Sequence, residues 1–367
     1  MIAVELRNVS KSHGRVPVLR DLNLSVEAGA FTVIFGAPAC GKSVLVRLLT
    51  GLEKPTAGQV LLRGEDAASL APGDRNIGYV PQSFALYPHY SVRDNIAYPL
   101  TLIGVPKTEI ETTVRQVSEQ IKIDHLLDKR PDQLSGGEKQ RVALARGMVK
   151  HTDIFVLDDS LVGLDFKLRE QLFDDLRQMQ EDLEATFIYT TSDPLETLAL
   201  ADQVAVLDAG SMVDIGPVEE IYWHPQHLRT MELLGYPTSN LLSGKLVVQS
   251  NQVRCRTSLF EFPVELNQPD SAGPGLEDVT VVIRPQDVGL GMDGQDGRLL
   301  SQAQVMLRDD LGGEIIAYLD VEGMPLVTVV PHAKDHLVSE DSVTIGVRPS
   351  ALVLFDSGTG QRIGHGA

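Results

Sequence analysis

Up to about residue 235, short runs of apolar and β-branched residues alternate with stretches whose apolar positions recur at helical spacing. The runs at 31–35, 77–80, 154–157, 186–190 and 203–207 have strand length, and 168–183 and 196–201 carry the helical period. That order predicts a mostly parallel sheet wrapped by helices, an α/β domain. Beyond Tyr236-Pro237-Thr238-Ser239-Asn240 the pattern becomes one of short strands, at 241–248, 279–283, 315–319, 326–330 and 343–347. Turn clusters separate them, Gly273-Pro274-Gly275 and Asp293-Gly294-Gln295-Asp296-Gly297 among them. The expected division is an α/β domain over 1–235 and an all-β barrel domain over 236–367.

Within the second half, an apolar residue followed by Arg-Pro recurs as Ile283-Arg284-Pro285-Gln286-Asp287-Val288 and Val347-Arg348-Pro349-Ser350-Ala351-Leu352. So short a repeat can arise by chance. The matching strand before each copy favours two barrel lobes of common design.

Composition narrows the class. A chain of 367 residues is comfortable for two domains, and 43% hydrophobic against 22% charged residues describes a globular protein. The formal net charge is -18 and no block of five or more Lys or Arg occurs, so the electrostatic footprint of a nucleic-acid binder is missing. The two cysteines, Cys40 and Cys255, make no disulfide framework, in keeping with a reducing compartment. No apolar run reaches ~18 residues and the N-terminus lacks signal-peptide features, so the chain is expected not to cross a membrane by itself.

The run Gly36-Ala37-Pro38-Ala39-Cys40-Gly41-Lys42-Ser43 fits G-x-x-x-x-G-K-[ST], between a strand-length apolar run and the helical run 44–49. In such a P-loop, small residues let consecutive backbone N–H groups curl round a polyphosphate. The helix opening near Val44 adds its positive end, Lys42 reaches the terminal phosphates, and the Ser43 hydroxyl ligates Mg2+. The expected ligands are therefore ATP or a similar triphosphate and Mg2+. A Gly-containing turn before a helix is the plainer reading. Cys40 reads as a small filler in a tight loop rather than a redox switch.

A second motif, Asp153-Ile154-Phe155-Val156-Leu157-Asp158-Asp159, ends an apolar strand on two carboxylates. Adjacent acids at the end of a buried strand are costly unless a cation or a reaction uses them. Asp158 is placed to hold Mg2+ through water and Asp159 to orient or deprotonate the attacking water. Between the two motifs, Leu134-Ser135-Gly136-Gly137-Glu138-Lys139-Gln140-Arg141 places a Ser-Gly-Gly turn at the start of a helix. Taken alone it is either a second anion cradle or an N-capped helix with a flexible entry.

In this order and at this distance from the other two, the Ser-Gly-Gly turn resembles the signature motif of ATP-binding-cassette ATPases. The resemblance covers nearly the whole chain. It implies that Gln82, in Tyr79-Val80-Pro81-Gln82, is the lid glutamine that touches the metal, and that Asp165 lies in the loop crossing between two ATPase subunits. Phe84-Ala85-Leu86-Tyr87-Pro88-His89 and Ser91-Val92-Arg93-Asp94-Asn95-Ile96 look like the importer type. The tail Leu354-Phe355-Asp356-Ser357-Gly358-Thr359-Gly360 looks like the carbohydrate-importer branch, that of maltose-transporter ATPases. That branch implies a C-terminal OB-like barrel used for dimer contacts or regulation. It also implies transmembrane permease subunits, an extracytoplasmic solute-binding protein reached through the permease, a second ABC ATPase subunit, and a peripheral place on the cytoplasmic face of the inner membrane.

The chain departs from the family pattern where catalysis is expected. Asp159 stands in place of the catalytic glutamate, and a carboxylate misplaced by about 1 Å can cost ~100-fold in rate. Ser192, in Tyr189-Thr190-Thr191-Ser192-Asp193-Pro194, replaces the switch histidine, so no imidazole faces the γ-phosphate. Val162 stands for a polar Ser in the crossing loop, and His13 for the aromatic residue that stacks on adenine. Lys42, Ser43 and Asp158 remain, which implies a site that binds ATP and hydrolyses it poorly.

Cassettes of this family sandwich two ATP molecules head to tail, each site joining one subunit's phosphate loop to the other's signature. The expectation is thus the degenerate half of a heterodimeric engine for uptake of a sugar, polyol or sugar phosphate, in which Ser135, Gly136 and Gly137 complete the partner's site. A slow homodimeric importer ATPase and a nucleotide sensor with vestigial hydrolysis are the alternatives.

Overall fold

A computed structural model describes residues 1–150, 152–159, 166–249, 252–267, 278–291, 297–338 and 342–367. Val162, Asp165 and the turn residues 273–275 and 293–296 lie outside the described residues. The chain divides into two compact units, Met1–Val218 and Glu219–Ala367. The division falls before the expected 235/236 boundary. Arg284 of the β-rich unit donates hydrogen bonds to the carbonyls of Tyr222 and Leu234, so the helix Leu228–Leu233 and most of Val218–Trp223 pack with that unit.

The first unit is built on a six-stranded sheet in the order Ser211–Pro217, Gln203–Asp208, Phe31–Phe35, Thr186–Thr191, Ile154–Asp158, Ile77–Val80. All neighbours run parallel except the first pair, a hairpin. The strand Phe31–Phe35 is buried along its whole length, as parallel strands covered on both faces require. Phe187 stacks on Phe31 at 5.5 Å and packs against Phe155 at 5.2 Å between ring centroids. Rings buried this way contribute roughly 2–3 kcal/mol each.

An antiparallel sheet, Val16–Glu27, Ile2–His13, Ala57–Leu62, Glu65–Asp66, forms a second layer that the sequence pattern did not predict. Its inward residues Leu6, Val9, Leu22, Leu24 and Val60 share a core with Leu45, Leu48 and Leu49 of the helix Lys42–Thr50.

In the second unit, a closed six-stranded barrel runs Asn240–Gln249, Gln252–Thr257, Glu261–Leu266, Arg362–Gly366, Val353–Asp356, Asp278–Ile283. Beside it lies a five-stranded sheet, Val288–Leu290, Ser342–Val347, Leu299–Asp310, Glu314–Val321, Met324–Pro331. The two expected lobes are thus one barrel and one open sheet rather than two barrels. The Arg-Pro repeat has the same local structure in each: a strand, an extended Arg284 or Arg348, and a 3-10 turn at Pro285–Asp287 or Pro349–Ala351. Proline at the first position of such a turn supplies the required φ and gives up no hydrogen bond.

Candidate nucleotide site

Three parallel strands of the first unit end level with one another. Phe35 lies opposite Thr191, and Asp158 opposite Thr190. The residues that follow, Gly36, Asp159 and Ser192, therefore emerge side by side at the C-terminal edge, where open α/β sheets bind ligands. Backbone hydrogen bonds fix the alignment: Gly36 N–H donates to Thr191 O at 3.2 Å and Asp159 N–H to Thr190 O at 3.0 Å.

A pocket of about 340 Å3 opens at this edge. Its walls bring together Pro38, Ala39, Gly41, Lys42, Ser43, Val44, Gln82, Asp158, Asp159 and Ser192, which the sequence scatters over more than a hundred positions. Ala39 and Gly41 take left-handed φ values of 65° and 117°. The helix Lys42–Thr50 starts at Gly41 with no side-chain cap, so no side chain occupies the N–H groups of its first turn. Lys42, 8% exposed, bends back to donate to Gly36 O at 2.6 Å and Ala37 O at 3.1 Å, while Ser43 is exposed.

The two carboxylates differ. Asp158 accepts a 2.8 Å hydrogen bond from the Thr190 hydroxyl, which fixes its orientation. Asp159 has a left-handed φ of 48°, and its Oδ1 is buried without a hydrogen-bond partner. Burial pushes its carboxyl above the usual range, Lys42 opposes the rise, and Asp158 and Asp193 add to it. An orphaned carboxylate oxygen, a lysine held on carbonyls and an uncapped helix start form a donor and acceptor set that fits a magnesium–triphosphate. Bound there, the metal would neutralise phosphate charge, held by Ser43, Gln82 and Asp158.

Gly36, Ala37 and Cys40 belong to the loop but do not line the pocket. A Cβ on Gly36 would sit 2.2 Å from Leu207 O and 2.8 Å from Cys40 Sγ, so glycine is required for this close approach. Cys40 is buried and desolvation raises its thiol, as a structural filler should be. His13 also stays out of the pocket lining; it is exposed at the end of the strand Ile2–His13, 3.9 Å from Glu53. Ser135 caps the helix Gly136–Met148, accepting from Glu138 N–H at 3.3 Å, and its own N–H donates to Glu138 at 2.7 Å. Ser135 and Gly137 border a separate pocket of about 220 Å3, to which Gly136 does not contribute.

Two contributors escaped the sequence reading. Val18 lines the pocket from the antiparallel layer, and Thr190 orients Asp158. The Thr190-Thr191 pair closing a strand-length run was the available sequence signal for the latter, and the register sets Thr190 opposite Asp158.

Comparison with known proteins decides the family. A family profile described as ABC transporter matches residues 19–162, and one described as TOBE domain matches 281–355. A maltose/maltodextrin import ATP-binding protein of Yersinia pestis is 35% identical over 361 residues, 97% of this chain and 96% of the relative. The chain belongs to the ABC transporter family. An sn-glycerol-3-phosphate import ATP-binding protein of Agrobacterium fabrum is 34% identical over 364 residues, with 99% and 95% covered. Among solved structures, cbiO1 of Clostridium perfringens, part of an ABC transporter complex, superposes with a TM-score of 0.56 at 27% identity, covering 60% of this chain and 90% of its own. A dimeric ATP-binding cassette bound to ADP and Pi gives 0.52 at 26% identity, covering 59% and 98%.

As an ABC protein the chain combines a P-loop ATPase domain with a C-terminal OB-like TOBE domain. Membership implies ATP binding with Mg2+ and hydrolysis coupled to transport. Among the described residues no helix is long and apolar enough to cross a membrane.

Proposed function

We propose that this chain is the ATP-binding subunit of an importer for a sugar, polyol or sugar phosphate, and that its own site is the catalytically weak half of a heterodimeric engine. The import functions named for its relatives support the substrate class. The observation that carries the weak-site reading is that Asp159 and Ser192 face the same pocket as Lys42 and Asp158. The binding groups are complete, while the two positions that would activate water carry a shortened carboxylate and an uncharged hydroxyl.

In this reading Lys42 and the uncapped N–H groups of Lys42, Ser43 and Val44 hold the β- and γ-phosphates, and Ser43, Gln82 and Asp158 hold the metal. His13 stacks on adenine from the end of its strand once nucleotide is present. Asp159 positions the attacking water at reduced efficiency, and Ser192 offers a single hydroxyl to the γ-phosphate. The turn Ser135-Gly136-Gly137 closes over the γ-phosphate of the partner's ATP, and Asp165 serves the crossing between subunits. The α/β domain docks on permease subunits at the cytoplasmic face of the membrane, with Gln82 and the region from Ser91 to Lys107 transmitting closure, and the TOBE domain makes dimer or regulatory contacts.

A slow homodimeric engine is the second reading, favoured by Asp159 itself, which still places a carboxylate in the pocket beside Lys42 and Asp158. The two separate in the purified transporter complex. Lys42→Ala should leave a substantial part of the transport-coupled ATPase, and Ser135→Arg should abolish nearly all of it, with both variants assembling at wild-type levels. Equal losses would favour the symmetric engine and contradict the division of labour.

A further inference from the structure

A further cavity belongs to the C-terminal unit, whose residues alone line it. It measures about 780 Å3, within the size range of small-molecule sites. On a chain with a formal net charge of -18, its wall carries three arginines, Arg284, Arg348 and Arg362.

The arginines are not equivalent. Arg284, 4% exposed, is committed to structure: it donates to Leu234 O at 2.9 Å and to Tyr222 O, and lies 3.9 Å over the Tyr222 ring. Asp287, also in the wall, is near enough to Arg348 and Arg284 for both to draw its carboxyl down against the rise that burial causes. Arg362 has no such carboxylate among the described residues. Its Nε is buried with no hydrogen-bond partner among the described residues, and burial draws its guanidinium below the ordinary value. An anion in the cavity would supply the counter-charge that this wall residue lacks among the described residues.

We propose that this cavity binds a phosphate monoester of a sugar, with Arg362 and Arg348 on the phosphate and the sugar ring against Trp223. Guanidinium groups match phosphate oxygens in paired, planar geometry. A cavity of this size has room for more than inorganic phosphate. Trp223, 61% exposed, offers an apolar face, and Asn267 and Ser350 supply neutral hydrogen-bonding groups suited to hydroxyls. Arg348 and Arg362 come from separate strand ends, following Ser342–Val347 and opening Arg362–Gly366, so the barrel and the open sheet of this one unit each contribute a cation. The proposal is independent of what the transporter carries.

Isothermal titration of the full-length protein with glucose 6-phosphate, glucose and inorganic phosphate tests it, in the presence of saturating Mg-ADP to fill the nucleotide site. Glucose 6-phosphate should bind at least ~10-fold tighter than either fragment. Lys42→Ala should leave that binding unchanged, while Arg362→Gln and Arg348→Gln should each weaken it ~10-fold or more. Trp223→Ala should weaken the sugar phosphate but not inorganic phosphate. Circular dichroism matching wild type for all four variants, and wild-type ATP affinity for the three cavity variants, would show that they are folded. Absence of millimolar or tighter binding, equal affinity for inorganic phosphate, or binding that survives both arginine substitutions would overturn the proposal.

Discussion

The carboxylate of Glu196, 1% exposed, accepts a 2.6 Å hydrogen bond from the hydroxyl of Tyr189, itself fully buried in the strand that delivers Ser192 to the nucleotide pocket. Thr191 donates a second bond to the same oxygen at 2.5 Å. Glu196 thereby ties the first turn of the helix Pro194–Leu200 to the last residues of that strand, and the intervening Ser192 and Asp193 are held in a short span.

Removing the acceptor should cost more than removing one donor. Tyr189→Phe is expected to lower stability by about 1–2 kcal/mol, whereas Glu196→Ala, which leaves two buried hydroxyls without their acceptor, should lower it by about 2–4 kcal/mol. Urea denaturation of the full chain measures both. Equal and small effects would show that the network contributes little.

Arg75 is the equivalent tie behind the phosphate loop. It is 3% exposed and donates to Leu48 O at 2.7 Å, Leu49 O at 2.8 Å and Ala67 O at 3.0 Å, satisfying carbonyls at the end of the helix that begins with Lys42. Arg75→Lys should destabilise by about 2–3 kcal/mol, because one ammonium cannot reproduce the planar fork that spans three carbonyls. A denaturation midpoint equal to that of wild type would contradict this.

The pH dependence of stability reports on Asp159. Burial raises its carboxyl in the folded state, so the folded chain keeps this proton at pH values where the unfolded chain has released it. Its contribution is fully present below the ordinary carboxyl value and is lost as pH rises through the folded-state value. Asp159→Asn, which cannot ionise, should therefore melt above wild type at neutral pH, with the advantage shrinking as pH falls into the ordinary carboxyl range. A melting difference that stays constant across that range in the nucleotide-free protein would rule out a raised carboxyl.

Much of the site was legible because its chemistry is local. The loop 36–43, the strand ending on Asp158 and Asp159, and the turn at Ser135 each require residue types at fixed spacing, and the parallel strands 31–35, 154–158 and 186–191 follow from short runs of apolar and β-branched residues. The antiparallel layer escaped. Bulges break the register of Ile2–His13 against Val16–Glu27 at four places, and this interrupts the alternation that announces a half-buried strand. The early domain division, the clamp of Arg75 and the arginine cavity rest on contacts between distant residues, Arg284 with Tyr222 for instance, which no window of sequence displays. His13 lies at the end of the strand Ile2–His13 and outside the pocket lining, so its place at adenine rests on the family pattern alone.

The weak-site account is tested most directly by phosphate release per bound ATP, measured on the purified transporter complex with the partner's own phosphate-loop lysine replaced by Ala, so that only this chain's site can turn over. With the wild-type chain, nucleotide should bind with Mg2+ and release of phosphate should be slow. With Asp159→Glu and Ser192→His together, release should rise on the order of 100-fold at similar occupancy, the scale expected for restoring a misplaced catalytic group. Fast release by the wild-type site, unchanged by the double substitution, would contradict the account.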